Sequence, residues 1–362
     1  MLLINNQEVE ELLDMRTCLE ALETGYDDLL KGDAVYRPRL DVWVPCDRPD
    51  GYYRWGSMEG ASRKLGVFAI RMKSDIVHWP EGLTEEKYCI RPGTYCGLIM
   101  VFSVRNGEPL AIINDGVLQH MRVGGCAGLG VKYLSRPESS VVGIFGSGGM
   151  ARSYLMAFKE VREIKRVKVY SPTKSHREAY AEEMGKSFGL TVEAVDSPES
   201  LVRGSDIIAA CTDSTRVVFD EPEWLSDGAH ITCVRACEIG PKVVKRCDLS
   251  IKLGRNTVET LDAGMVRLHG NVGYIAGQPE ERARIPNPEV DNYRGGFFQD
   301  FMEMRAGKVP GRTSPSQVTF FINAGTQGLQ FAACAGKVYQ LAKERGRGRD
   351  LPTEWFTQNI RD

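Results

Sequence analysis

The sequence predicts an α/β protein, a doubly wound Rossmann domain plus a mixed α+β substrate and dimerisation domain formed by both chain ends. Three observations lead there. An apolar run, Val141-Val142-Gly143-Ile144-Phe145, stops at the turn Gly146-Ser147-Gly148-Gly149-Met150-Ala151, and a helical pattern continues to Glu160. Strand, Gly-x-Gly-x-x-Ala and helix in that order make a dinucleotide-binding unit. A second run, Val167–Tyr170, follows at the βαβ distance, and Val192–Val195, Asp206–Cys211, His230–Val234 and Asp248–Lys252 complete a six-strand pattern. Outside that block the chain changes to hairpins, cationic strands and helices dense in small residues. The expected boundaries are 1–129 and 312–350 for the substrate and dimerisation domain, 130–311 for the dinucleotide domain and 351–362 for a polar C-terminal tail.

At 362 residues the chain is long enough for two domains with separate cores. A formal charge of −2 with scattered lysine and arginine offers no electrostatic footprint for nucleic acid. Met1–Ile4 is apolar but meets Asn5 and Asn6 too soon for a signal peptide or a membrane span. A cytoplasmic protein without a membrane partner is expected. The ten cysteines have apolar or glycine neighbours and read as reduced, mostly buried thiols. No metal is expected: His230, Cys233, Cys237 and Cys247 are suitable ligand types, but a strand over 230–234 turns His230 and Cys233 to opposite faces.

Residues 8–31 begin the chain with a helical stripe of leucines among acidic positions. Tyr36–Val44 and Tyr52–Gly60 flank a turn-rich segment and pair as antiparallel strands. Arg37 and Arg39, two apart, share a face of the first and suit a carboxylate. In Gly66–Asp75 the apolar side, Phe68, Ile70 and Met72, is expected to pack, leaving Arg71 and Lys73 on the opposite side, toward a cleft. Leu98–Val104 and Pro109–Ile113 form a hairpin across Arg105-Asn106-Gly107-Glu108. Asn114-Asp115-Gly116 then leads into a helix starting near Val117, in which Arg122 precedes a glycine-dense run to Gly130. A guanidinium in that setting needs an anion or a buried partner; a solvent-facing Arg122 is the plainer reading.

At the dinucleotide turn Gly146 permits the tight bend, Gly148 admits a pyrophosphate to the helix start, and small Ala151 lets helix and strand pack. The second strand ends in Ser171-Pro172-Thr173-Lys174-Ser175-His176-Arg177, with no acid for a ribose hydroxyl. Ser171, Thr173, Lys174 and Arg177 suit a 2′-phosphate instead, so NADP(H) is favoured over NAD(H). Ligands bind outside the carboxyl ends of parallel strands, which puts Thr212 and Ser214 on the ribose-nicotinamide path and Cys237 or Glu238 near the reacting ring. A core thiol and a solvent carboxylate are the competing readings. Residues 256–311 are turn-rich and include Gly295-Gly296, and Pro315–Tyr339 reads as a small-residue helix returning to the first domain. That helix and Gly124–Gly130 are the surfaces expected to pack in a homodimer.

The order of Arg37/Arg39, Arg71/Lys73, Ile112-Ile113-Asn114-Asp115-Gly116, Arg122, Gly146 to Ala151 and Arg312-Thr313-Ser314-Pro315-Ser316 resembles the ornithine cyclodeaminase/mu-crystallin family over almost the full chain. The resemblance implies a nicotinamide-binding domain, dimerisation through the other domain and an active site between them. It implies that Arg39 or Arg37 and Arg122 bind the substrate carboxylate. Spacing from Trp79-Pro80-Glu81-Gly82 places Arg71 at the family's catalytic lysine, with Lys73 displaced along the strand. Cys237 aligns with the cyclodeaminase aspartate and leaves Glu238 as its acidic neighbour, a departure that argues against ornithine cyclisation. The expected activity is an NAD(P)(H)-dependent oxidoreductase interconverting a small amino acid and its imino acid, with Lys73 or Glu238 managing the proton. A non-catalytic dinucleotide-binding accessory protein and an NAD-dependent cyclodeaminase-like ammonia lyase are the alternatives.

Overall fold

In the computed structural model residues 1–80, 84–254, 261–268, 271–286 and 298–360 are described. Gly295-Gly296 and Glu81-Gly82 lie outside them. An eight-stranded sheet runs in the order Thr191–Ala194, Arg166–Tyr170, Val141–Phe145, Ile207–Ala210, His230–Cys233, Thr319–Ile322, Leu249–Lys252, Gln299–Asp300. Every pairing in it is parallel. Ile207–Ala210 and His230–Cys233 are buried along their whole length, as helix-covered parallel strands must be. The order reverses at Val141–Phe145, which pairs with Arg166–Tyr170 on one side and Ile207–Ala210 on the other. A crevice opens at such a point.

All six expected strands are present. A seventh departs from expectation: Thr319–Ile322, expected within a helix over 315–339, is a buried strand between His230–Cys233 and Leu249–Lys252. Thr-Phe-Phe-Ile is short, apolar and rich in β-formers, a pattern whose periodicity alone does not separate strand from buried helix. Gly325 at φ +105° and Thr326 at φ +56° then break the direction, and the helix runs over Gln327–Arg345.

The second sheet has eleven strands and draws on both ends of the chain. Its main path is Met265–Leu268, Asn271–Ile275, Leu40–Pro45, Gly51–Ser62, Val67–His78, Cys96–Ser103, Pro109–Asn114, Leu2–Ile4, Arg349–Asp350. Asn271–Ile275, from the stretch expected only as turns, runs parallel to Leu40–Pro45. The opening helical stripe is two helices. Asp14 breaks it, its side chain accepting from the Thr17 N–H at 2.7 Å to cap Met15–Lys31.

Alternation along Val67–His78 is the reverse of what the residue types suggest. Val67, Ala69, Arg71, Lys73, Asp75 and Val77 are buried, whereas Phe68, Ile70 and Met72 are half-buried on the outer face beside Met100 and Phe102. The helix Gln327–Arg345 packs on the inner side with Gly328 against the backbone of Glu59 and Gly336 against Val67. In Gly116–Leu134 the glycines likewise meet their own chain, Gly124 at Ser153, Gly128 at Ala157 and Gly130 at Phe321. These small-residue surfaces are therefore intramolecular, contrary to the expected dimer contacts. Their absent side chains let helices and strands touch backbone to backbone. Among the described residues no helix is long and apolar enough to cross a membrane.

Gly328→Ala forces a methyl group into the Glu59 backbone and is expected to lower stability by roughly 1–3 kcal/mol, read as a fall in the urea midpoint. An unchanged midpoint with altered oligomeric state would return this glycine to a subunit interface.

Candidate active site

A cavity of about 1120 Å³ is lined by both sheets' elements. On the dinucleotide side lie Gly146, Ser147, Gly148, Gly149 and Met150, followed by Ser171, Thr173, Thr212 and Cys237. Gly146 adopts φ +97°, and a Cβ there would stand 2.5 Å from the Cys211 carbonyl oxygen. A Cβ on Gly148 would meet nothing within 4 Å, so open space lies over the start of Gly149–Val161, and no side chain caps that helix. Ala151 is buried behind it. An unobstructed helix N-terminus with free N–H groups fits a pyrophosphate. The helix starts at Gly149, two residues before the expected Ala151.

The ribose end divides. Ser171 and Thr173 line the cavity, and so does His176, which carries no expectation from the sequence. Arg177 does not. Its guanidinium donates to the Ser171 carbonyl at 2.9 Å and to Asp196 at 2.6 Å, and lies over the Tyr170 ring at 5.7 Å. Lys174 faces Glu178 at 3.7 Å and its side chain is 71% exposed. Arg177 thus fixes the loop, and no carboxylate of the segment 171–177 faces the cavity.

Glu238, expected beside the reacting ring, is fully buried. One carboxylate oxygen accepts from the Thr212 N–H at 2.6 Å and hydroxyl at 2.7 Å, the other from the Arg235 N–H at 2.8 Å. Burial raises its pKa against these bonds. Glu238 thereby clamps two strand-end loops together. Cys237 does reach the cavity, while the Ser214 hydroxyl turns back to the Arg216 carbonyl at 2.9 Å and the Ser214 backbone bridges to Thr84.

On the opposite wall Arg37 and Arg39 part company, because residues 37–39 lie between the strands Ala34–Tyr36 and Leu40–Pro45. Arg37 turns to Glu59 and Ser57, whereas Arg39 lines the cavity and donates to Asp41 at 2.8 Å. Arg71 donates to Asp115 at 2.5 Å and to the Tyr95 hydroxyl. Lys73 donates to Asp75 at 2.8 Å; burial, then the charges of Arg39 and Arg54, push its pKa well below the ordinary lysine value. Arg122 is buried, donating to Gln330 at 2.8 Å and Gln119 at 2.7 Å with its guanidinium 4.6 Å from the Phe331 ring centre. Among the described residues no carboxylate pairs with it, and burial lowers its pKa to about 10. Gln119 and His120, from the same helix, line the cavity, and His120 Nε2 would be 2.8 Å from a Cβ on Gly149. That helix therefore links the arginine to the glycine turn.

Arg54, Glu85 and Lys87 line the cavity beside Arg39, whereas Arg71, Lys73 and Arg122 lie buried and are not among its lining residues. Strand alternation around Tyr52-Tyr53-Arg54-Trp55 was the signal available for Arg54, which is buried with Tyr52 on one side of Gly51–Ser62. Glu85 and Lys87 carry no motif; only the pairing of Glu86–Tyr88 along Val67–His78 brings them here.

Residues 1–346 match the ornithine cyclodeaminase/mu-crystallin family. An uncharacterized cyclodeaminase from Sinorhizobium fredii is 27% identical over 340 residues, 91% of this chain and 92% of that protein. A delta(1)-pyrroline-2-carboxylate reductase from Bacillus cereus is 25% identical over 258 residues, 71% of this chain and 74% of its own. The structure of Thermococcus litoralis delta(1)-pyrroline-2-carboxylate reductase in complex with NADH and L-proline shares the fold, with a TM-score of 0.74 at 24% identity over 97% of this chain and 100% of that one. With its glycine turn, its split second domain and a match over nearly its full length, the chain belongs to the ornithine cyclodeaminase/mu-crystallin family.

Proposed function

We propose that this protein is a nicotinamide-dinucleotide-dependent oxidoreductase that interconverts a small amino acid and its imino acid. The observation that carries this is Arg122, a buried guanidinium with no carboxylate partner among the described residues, on the helix that touches the glycine turn. A planar fork there holds both oxygens of an α-carboxylate and sets which face of the α-carbon is presented. Gln119, Gln330 and Phe331 fix the fork, and the guanidinium of Arg71, paired with Asp115, lies 5.4 Å from the centre of the same Phe331 ring. A dinucleotide held at Gly146, Gly148 and the start of Gly149–Val161 would supply or accept the hydride. Glu238, spent on Thr212 and Arg235, leaves the proton to Lys73, whose neutral form burial and two neighbouring arginines favour. The Bacillus cereus relative, a reductase of a cyclic imino acid, supports the reaction class. A thiol at Cys237, where a cyclodeaminase places its acid, speaks against cyclisation. The ten free cysteines support a cytoplasmic setting.

The purified protein is expected to oxidise NADPH or NADH with a 2-oxo acid plus ammonia or methylamine, or with a cyclic imino acid. Arg122→Met should cost roughly 2–5 kcal/mol in transition-state binding, with Arg122→Lys milder and dinucleotide binding nearly intact. Dinucleotide binding without turnover across that panel would leave the accessory-protein reading in its place.

For the cofactor we infer NADP(H), on Ser171, Thr173 and His176 at the cavity and an exposed Lys174 beside them. Lys174→Ala combined with His176→Ala should lower NADPH affinity more than NADH affinity; an unchanged ratio in titrations followed by nicotinamide fluorescence contradicts the assignment. Arg177→Ala should instead weaken both and lower the melting temperature, since it anchors the loop.

A homodimer is assigned to the outer face of the eleven-stranded sheet, where Phe68, Ile70, Met72, Leu98, Met100 and Phe102 form an apolar patch. Sedimentation of the Ile70→Glu/Met72→Glu protein should show monomers where the parent shows dimers; a parent that sediments as a monomer refutes the assignment.

A further inference from the structure

The helix Gly116–Leu134 carries a histidine, His120, one turn into its length and just ahead of Arg122. His120 lines the cavity together with Ser147, Gly148 and Gly149, and the residue is exposed there. Its aim is shown by what a side chain on Gly149 would meet: His120 Nε2 at 2.8 Å, Cε1 at 3.0 Å and Cδ2 at 3.2 Å. The Nε2 tip of the ring therefore points at Gly149, and the absent side chain there leaves it room. Gly149 is also the first residue of Gly149–Val161, whose opening N–H groups no side chain caps. Among the described residues no hydrogen-bond or ion-pair partner satisfies the His120 ring.

A ring N–H held over an uncapped helix start joins the backbone donors that receive an anion, and the anion a dinucleotide brings to that place is its pyrophosphate. Resting on the dinucleotide reading of the glycine turn, we propose that His120 donates a hydrogen bond from Nε2 to the pyrophosphate of the bound cofactor. One helix then carries both the cofactor's charge contact and the guanidinium assigned to the substrate. The groups facing the ring set its charge. Burial, with Arg122 on its own helix, Arg152 on Gly149–Val161 and Lys87 on Glu86–Tyr88, outweighs Asp115 at the helix start and holds the imidazole pKa below its ordinary value. Arg152 is taken up by Glu183 and the Ser147 carbonyl, and Asp115 by Arg71. The ring is neutral in the free protein near neutral pH. A pyrophosphate, with two negative charges, raises its pKa in the complex, so affinity is gained as pH falls through the raised value and the gain is complete below the value in the free protein.

Calorimetry on the full-length protein with NADH and with ADP-ribose, which has the pyrophosphate without the nicotinamide, tests this without requiring turnover. His120→Ala is expected to bind both about tenfold less tightly than the parent, the loss of one hydrogen bond to a charged group. His120→Gln keeps a neutral donor and should stay within about threefold of the parent at about pH 8. From there to about pH 6 the parent should gain affinity for ADP-ribose, and His120→Gln should not; His176, present in both, does not affect the comparison. Melting temperatures of both variants should match the parent's. Unchanged affinity in His120→Ala overturns the proposal, as does a loss confined to NADH or one that tracks a fall in melting temperature in both variants. A parent without the gain toward low pH, or a His120→Gln protein that keeps it, overturns it as well. Failure of the dinucleotide reading shows separately, as a parent that binds neither ligand at any pH.

Discussion

Two basic side chains on the inward side of one strand impose the organisation of the substrate side of this protein. Arg71 and Lys73 are buried in Val67–His78, and buried polar or charged groups are tolerated only where they are paired and hydrogen-bonded. Asp115 answers Arg71 and at the same time stands at the start of Gly116–Leu134, the helix that carries Arg122. Asp75 answers Lys73 and in turn holds Arg54, which reaches Glu85. Neutralising the strand therefore positions the helix on one side and the cavity wall on the other.

The same pairing accounts for the inverted strand. An apolar row normally turns inward, yet here Phe68, Ile70 and Met72 face out while Arg71 and Lys73 face in. What favours the inversion is the set of partners waiting inside, Asp115, Asp75, Tyr95 and Phe331, together with an outer row that a second subunit covers in the proposed dimer. Gly56 and Gly97 on the flanking strands leave the room: a Cβ on Gly56 would press Lys73 at 2.9 Å, and one on Gly97 would overlap Asp115.

Local signals were legible and long-range ones were not. The glycine turn, six parallel strands and the hairpin could be read because each follows from short stretches of apolar residues and turn chemistry. The burial of Arg122 was legible for a similar reason, a lone cation amid glycines. The fate of Arg177, Glu238 and Arg37 was not, since each is decided by a residue far away in sequence or by a loop geometry: Asp196, Thr212 and Glu59 capture them. Lys87 was missed because a solvated lysine and one that lines a cavity look alike in a sequence. Thr319–Ile322 was misplaced because four buried apolar positions do not declare their period.

That misplaced strand has a consequence for how the chain is made. The dinucleotide sheet lacks its strand between His230–Cys233 and Leu249–Lys252 until residues 319–322 arrive, and the other sheet is closed only when Arg349–Asp350 pairs with Leu2–Ile4. Asn271–Ile275 meanwhile crosses from the middle of the chain to the first sheet. Neither half is complete on a ribosome until nearly the whole sequence has emerged, so the domains finish folding together and not in turn. A chain stopped before residue 319 would expose strand edges in both sheets at once, and quality control would meet one cooperative failure where a beads-on-a-string protein would retain an intact first domain.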